Sequence, residues 1–211
     1  MKMNNKKILT GNLIVSQDME VDYEEITGKL QINCDVKFVA KKLKKVCDLS
    51  VNSNAALPKL ETVGGGLFVN SNAELDAPKL ETVGGYLSVN SNVELDAPKL
   101  ETVGGYLSVN SNAALPKLET VGGYLSVNSN VELDAPKLET VGDYLSVYSN
   151  AALPKLETVG GYLSVNSNAE LDAPKLETVG GYLSVNSNAE LDAPKLETVG
   201  GYLSVNSNAA L

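Results

Sequence analysis

The heptapeptide Pro-Lys-Leu-Glu-Thr-Val-Gly recurs eight times, beginning at Pro58, Pro78, Pro98, Pro116, Pro136, Pro154, Pro174 and Pro194. Successive copies lie 20, 20, 18, 20, 18, 20 and 20 residues apart, and they hold all eight prolines of the chain. Self-similarity at a fixed period near 20 is the mark of a solenoid, in which each repeat is one coil that buries its apolar face only against its neighbours. A 20-residue coil has no room for a helix beside two or three short strands and their turns. The spacing therefore predicts an all-β chain of parallel strands stacked coil upon coil at about 4.8 Å.

One unit, Val83 to Thr102, shows the pattern. Leu87 and Val89 are two apart and face one side of a strand, while Tyr86, Ser88 and Asn90 face the other. Leu95, Leu100 and Val103 add three more apolar positions, giving five inward ladders and a narrow aliphatic column. The divergent start keeps the frame: Leu9 to Val15 and Ile26 to Ile32 match Val-Gly-Gly-Tyr-Leu-Ser-Val, and Val36 to Leu43 matches Val93 to Leu100. The strand leucines run from Leu13, Leu30 and Leu49 to Leu203, about eleven coils of 17–20 residues. Residues 1–56 are expected to form divergent N-terminal capping coils, and 57–211 a near-identical array continuous with them.

Coils come in a long form (Ala-Glu-Leu-Asp-Ala-Pro or Val-Glu-Leu-Asp-Ala-Pro) and a short one (Ala-Ala-Leu-Pro). A two-residue difference preserves the alternation of the pleat, which places the extra Asp-Ala pair in a corner loop outside the core.

The pattern L-x-x-V-G-G-x-L-x-V-x-x-N-x-x-L, as in Leu80 to Leu95, resembles the leucine-rich-repeat group. More narrowly, it is similar to the receptor L-domain type, and that resemblance implies a right-handed parallel β-helix. It also implies recognition of proteins or other ligands on a sheet face, with no shared chemistry. The receptors' secretion signal and disulfide framework have no counterpart in these 211 residues.

Several rows of identical residues line up along the array. An Asn row (Asn54, Asn72, Asn92, Asn112, Asn130, Asn150, Asn168, Asn188, Asn208, preceded by Asp18 and Asp35) ends each strand and is expected to cap corners. The Gly-Gly pair is expected to supply positive φ or close approach at the opposite corner; Asp143 replaces the second glycine once, so the first is the stricter requirement. The outward face of the strand carries Tyr86, Tyr106, Tyr124, Tyr144, Tyr162, Tyr182 and Tyr202, flanked by Ser88, Ser108, Ser126, Ser146, Ser164, Ser184 and Ser204. Tyr, Ser and Asn are what rigid recognition surfaces use, and an aromatic stripe also fits a glycan. Rings that merely cover the sheet and one another would give the same row. Gly66, Phe68 and Tyr148 interrupt it at a Tyr, a Ser and an Asn position.

Charge is uneven. Residues 1–56 hold nine Lys against seven acids, and the remainder eight Lys against 19. So acidic a body argues against binding a phosphate backbone, which needs clustered cations. The basic block Lys41, Lys42, Lys44 and Lys45 reads as a solvated face. Met1 to Lys7 is followed by no apolar run, so neither secretory signal nor membrane anchor is expected, with a cytoplasmic location by default. Cys34 and Cys47 fall just past one strand and just before the next, about 20 Å apart, too far for a disulfide.

With no His, no nucleophile beside a base and no metal-ligand spacing, an enzyme, a cofactor and a metal site are not expected. The leading expectation is a recognition or scaffold module that binds a protein, or else a glycan, through the Tyr and Ser rows and Tyr148. A self-assembling structural repeat and an acidic nucleic-acid-mimicking inhibitor are the alternatives. Leu203, Val205 and Leu211, in the last coil, are expected to support an end-to-end homodimer through an open parallel edge.

Overall fold

The computed structural model describes residues 6–70, 73–90, 95–110, 112–128, 131, 133–206 and 208–210. Leu211 and three members of the corner Asn row (Asn72, Asn92 and Asn130) lie outside them. Every strand pairing is parallel, no helix occurs among the described residues, and the chain is an all-β solenoid. The strand leucines pair in one unbroken register, Leu13 to Leu30 to Leu49 to Leu67 and on to Leu203. The core closes fully over about nine turns, slightly fewer than the eleven coils expected. The end rungs account for the difference: Leu13 is half-buried and Leu203 is 55% exposed, whereas Leu30 to Leu183 are sealed.

Each coil has one long wall and one short one. Thr-Val and Leu-x-Val segments, such as Thr82–Val83 and Leu87–Val89, belong to a single 20-stranded sheet. Two-residue strands such as Ala113–Ala114 and Leu133–Asp134 form the facing wall, in separate four- and six-stranded sheets. The expected inward positions are buried: Leu171, Leu176, Val179, Leu183 and Val185 each have no exposed surface. A buried Leu contributes about 1.5–3 kcal/mol, and here that burial comes from the coils above and below.

Glycine placement differs from expectation. Gly84-Gly85 is not a corner but a jog inside the long wall, joining Val83 to the Leu87–Val89 strand. In the N-terminal coils the same stretch is one strand, Glu25–Ile32, with a register shift between Ile26 and Lys29. Positive φ is not the requirement either, since Gly11 is the one described glycine that has it. Close approach is. Gly84 N–H donates to the Val63 carbonyl at 2.8 Å, and a Cβ on Gly84 would strike the Gly64 carbonyl oxygen. At the second glycine the fit is looser, with a Cβ on Gly105 falling 2.9 Å from the Gly85 carbonyl carbon.

The corner insertion also differs. Ala113 pairs with Leu95 and Ala114 with Asp96, so Asp of the long form lies within a strand and the two extra residues precede it. Long coils bury Leu171 and Ala173, whereas short coils bury Ala113 and Leu115 in the equivalent places. The large and small residues exchange positions, which conserves volume. Asn168 and Asn188 turn the inserted corner at φ 65° and 58°, a conformation Asn tolerates better than other non-Gly residues. The proline corner is a β-turn, Leu100 N–H to Ala97 C=O at 3.0 Å, with Pro98 in the second position where its fixed φ fits.

Candidate functional site

The long wall turns its Thr, Tyr, Ser and Asn side chains outward because Val, Leu and Val between them point in. Its dominant feature is the tyrosine row. Tyr86 and Tyr106 stack at 5.1 Å and 15°, Tyr106 and Tyr124 at 4.8 Å and 4°, Tyr144 and Tyr162 at 4.7 Å and 21°, Tyr162 and Tyr182 at 4.6 Å and 5°. Tyr202 tilts 41° from Tyr182. Planes stacked along the axis cover one another's faces, so solvent meets ring edges and a file of hydroxyls. Tyr124, Tyr144, Tyr148, Tyr162, Tyr182 and Tyr202 are exposed, and Tyr86 and Tyr106 are half-buried.

At its N-terminal end the row is closed by two substitutions acting together. Gly66 leaves a Tyr position empty, and the Tyr86 ring lies in that space, where a Cβ on Gly66 would collide with it. Phe68, at a Ser position, meets the Tyr86 ring at 4.4 Å and 52°. Burial, followed by the negative charges of the Asp48 carboxylate and the Tyr106 phenolate, pushes the Tyr86 phenol above its ordinary pKa.

Beside the rings, Ser88, Ser108, Ser126, Ser146, Ser164 and Ser184 are half-buried, and several already have partners. Asn110 donates to Ser108, Asn166 to Ser146, and Ser126 to the Asn128 side-chain oxygen at 3.3 Å. The outermost Asn row is tied coil to coil: Asn90 donates to Asn70 at 2.9 Å, Asn206 to Asn186 at 3.1 Å, and Asn128 to Asn110. This side-chain ladder was not expected on the face, and it commits those amides to the scaffold. The second Asn row caps corners as expected: the side-chain oxygens of Asn54 and Asn150 accept from Glu74 N–H and Glu170 N–H.

Elsewhere the surface is simpler. Lys41 and Lys42 pair with Glu20 and Asp22 at 2.8 Å, and Lys44 with Glu61 at 3.8 Å, so the basic block is largely neutralised in place. Cys34 and Cys47 are free and exposed; Cys47 lies inside the strand Lys45–Val51 rather than before it. On the short wall, the Ala151–Ala152 coil leaves a notch of about 480 Å³ between Asp134 and the Glu170/Asp172 coil. Among the described residues, no group of three or more His, Cys, Asp or Glu is placed to hold a metal. In the last coil Leu203 and Val205 are 55% and 43% exposed; Leu211 is outside the described residues.

Compared with known proteins, the chain matches no family model, no curated protein and no solved structure.

Proposed function

We propose that this protein is a non-enzymatic recognition or scaffold module that engages a protein partner through the Tyr/Ser face of its long wall. One observation carries the reading: the exposed rings are already held by stacking on their neighbours, at 4.6 to 5.1 Å. Side chains fixed before binding lose little entropy on contact, and Tyr offers large amphipathic area at low cost. The reading agrees with the resemblance to leucine-rich repeats of the receptor L-domain type, whose sheet faces recognise ligands. A protein fits better than a glycan, because a sugar's apolar side packs on ring faces and most faces in this row are covered.

Capture from extracts of the native host tests it, with a variant carrying Tyr124→Ser, Tyr144→Ser and Tyr162→Ser as control. The reading expects a partner retained by the natural chain and lost by the variant, which should remain folded while losing about 0.5–1.5 kcal/mol for each of the three stacked pairs it removes. Equal capture by both would overturn it.

A second reading concerns self-association. The exposed Leu203 and Val205 stand one rung beyond Leu183 and Val185, which are sealed, and an open apolar edge is a template for pairing. We propose that two copies meet through this coil. Sedimentation at tens of micromolar should show a dimer that Leu203→Lys with Val205→Lys dissociates; a monomer in the natural chain contradicts it.

A further inference from the structure

The strand Leu203–Val205 pairs with Leu183–Val185 on one side and, among the described residues, with no strand on the other. In the coil before it, Leu183 N–H donates to the Tyr202 carbonyl and the Val185 carbonyl accepts from Asn206 N–H, both at 2.9 Å. Leu and Val of each coil thus aim their backbone groups at the coil that follows. At Leu203 and Val205 the same groups face the open edge, while those of Ser204, alternating with them, face Leu183–Val185.

We infer that a second copy adds antiparallel to this edge, across a two-fold axis through Ser204. Leu203 then lies opposite Val205 of the second copy, and Val205 opposite its Leu203. Each pair exchanges both backbone hydrogen bonds, and Ser204 meets its own counterpart in the non-hydrogen-bonded pair between them. That register satisfies every N–H and C=O that the two residues turn outward. It also covers the most exposed apolar side chains of the coil: Leu203 and Val205 are 55% and 43% exposed, whereas Ala193, Leu196, Val199 and Ala209 are half-buried. No charged residue lies between Gly200 and Asn206, so two chains of net charge −9 meet along an uncharged strip with no like charges opposed.

The other end of the solenoid offers no such seat. Val15 is already sealed, and Leu9 and Leu13 are half-buried. Charge rims that end: Lys6 pairs with Glu25, and Lys7 lies 3.9 Å from Asp22 and 5.8 Å from the Tyr23 ring centre. One open end on each copy gives a closed dimer and not a filament. Because the axis stands normal to the sheet, the Tyr and Ser rows of both copies share one side, with Tyr202 of one opposite Asn206 of the other. The dimer therefore presents the proposed recognition face twice. This inference rests on the self-association reading and fixes the symmetry and register of that contact.

Cysteine crosslinking of the full chain reads the register, with Cys34 and Cys47 first replaced by Ser. Opposed Cα atoms of a non-hydrogen-bonded pair lie about 4.5 Å apart, inside the disulfide range of about 4.4–6.8 Å. On mild oxidation with diamide, Ser204→Cys should double in mass, and adding Leu203→Lys with Val205→Lys should abolish the product. Tyr202→Cys and Asn206→Cys chains should crosslink when mixed and not when oxidised separately. If the natural chain sediments as a dimer but Ser204→Cys stays uncrosslinked, self-association stands and the antiparallel register fails. Crosslinking of Ser204→Cys to Ile14→Cys, in place of Ser204→Cys to itself, would show head-to-tail addition and overturn the register as well. A natural chain that sediments as a monomer removes both.

Discussion

Tyr106 and Tyr124 stack at 4.8 Å with planes only 4° apart, and that separation matches the spacing of hydrogen-bonded strands. The backbone sets the ring spacing. A parallel in-register sheet must repeat each side chain at the strand interval, so one Tyr per coil becomes a rigid file without any sequence signal beyond the repeat. The same geometry turns a single substitution into a local event, because each residue meets its counterparts one coil away.

Glycine substitutions should reveal the jog. Gly104→Ala forces a Cβ into the Gly84 carbonyl oxygen, and backbone there cannot retreat without breaking the Val83–Gly104 hydrogen bond. The expected loss is about 2–4 kcal/mol. Gly105→Ala should cost less than half as much, since Asp143 already occupies the equivalent site. Denaturant titration of both variants decides the order.

The corner exchange predicts a rescue. Leu171→Ala should destabilise by about 2–5 kcal/mol, and Ala173→Leu by about 1–3 kcal/mol through overpacking. Combined, they recreate the Ala-then-Leu order that short coils bury at Ala113 and Leu115. The double variant should recover most of the loss, giving a large coupling in a double-mutant cycle. Strict additivity would show that the two positions do not share one space.

At the end of the ring row, Phe68→Ser should cost about 0.5–1.5 kcal/mol for the lost aromatic pair. Gly66→Tyr alone should cost more, because Tyr86 occupies its space. With Phe68→Ser also present, Tyr86 is free to move onto the stack and the penalty should shrink. Stability of the three variants by thermal unfolding checks the sequence of effects.

Tyr86 should leave a signature at high pH. Burial, then Asp48, then Tyr106 raise its pKa in the folded chain, so the folded state holds this proton more tightly than the unfolded state does. Its contribution is complete below the unfolded value near 10 and is lost as pH rises through the folded value. Tyrosinate absorbance should show this phenol ionising after an exposed tyrosine, and Asp48→Asn should bring it closer. An unchanged titration in that variant would remove Asp48 from the explanation.

The ladders were legible in the letters because alternation fixes which residues point in: Leu87, Val89, Leu100 and Val103 are all buried. Separation along the chain likewise kept Cys34 from Cys47. Three features were hidden. Ala-Ala-Leu and Leu-Asp-Ala present the same pleat with bulk exchanged, so the letters alone do not place the insertion. Gly-Gly has the composition of a corner, but its role follows from backbones meeting across coils. The ring row lacks a contact between Tyr124 and Tyr144, a matter of side-chain packing that identical Tyr letters do not show.

Spin-label distances test the stacking itself most directly, with Cys34 and Cys47 first replaced and labels placed at Ser88, Ser126 or Ser146 against Ser184. Parallel in-register coils predict inter-backbone separations of about 14 Å for Ser126 to Ser184, growing by about 4.8 Å per coil to about 24 Å for Ser88, whether the intervening coils have 18 or 20 residues. Distances that follow residue number rather than coil number, or that stop growing along the array, would contradict the solenoid and the tyrosine face built on it.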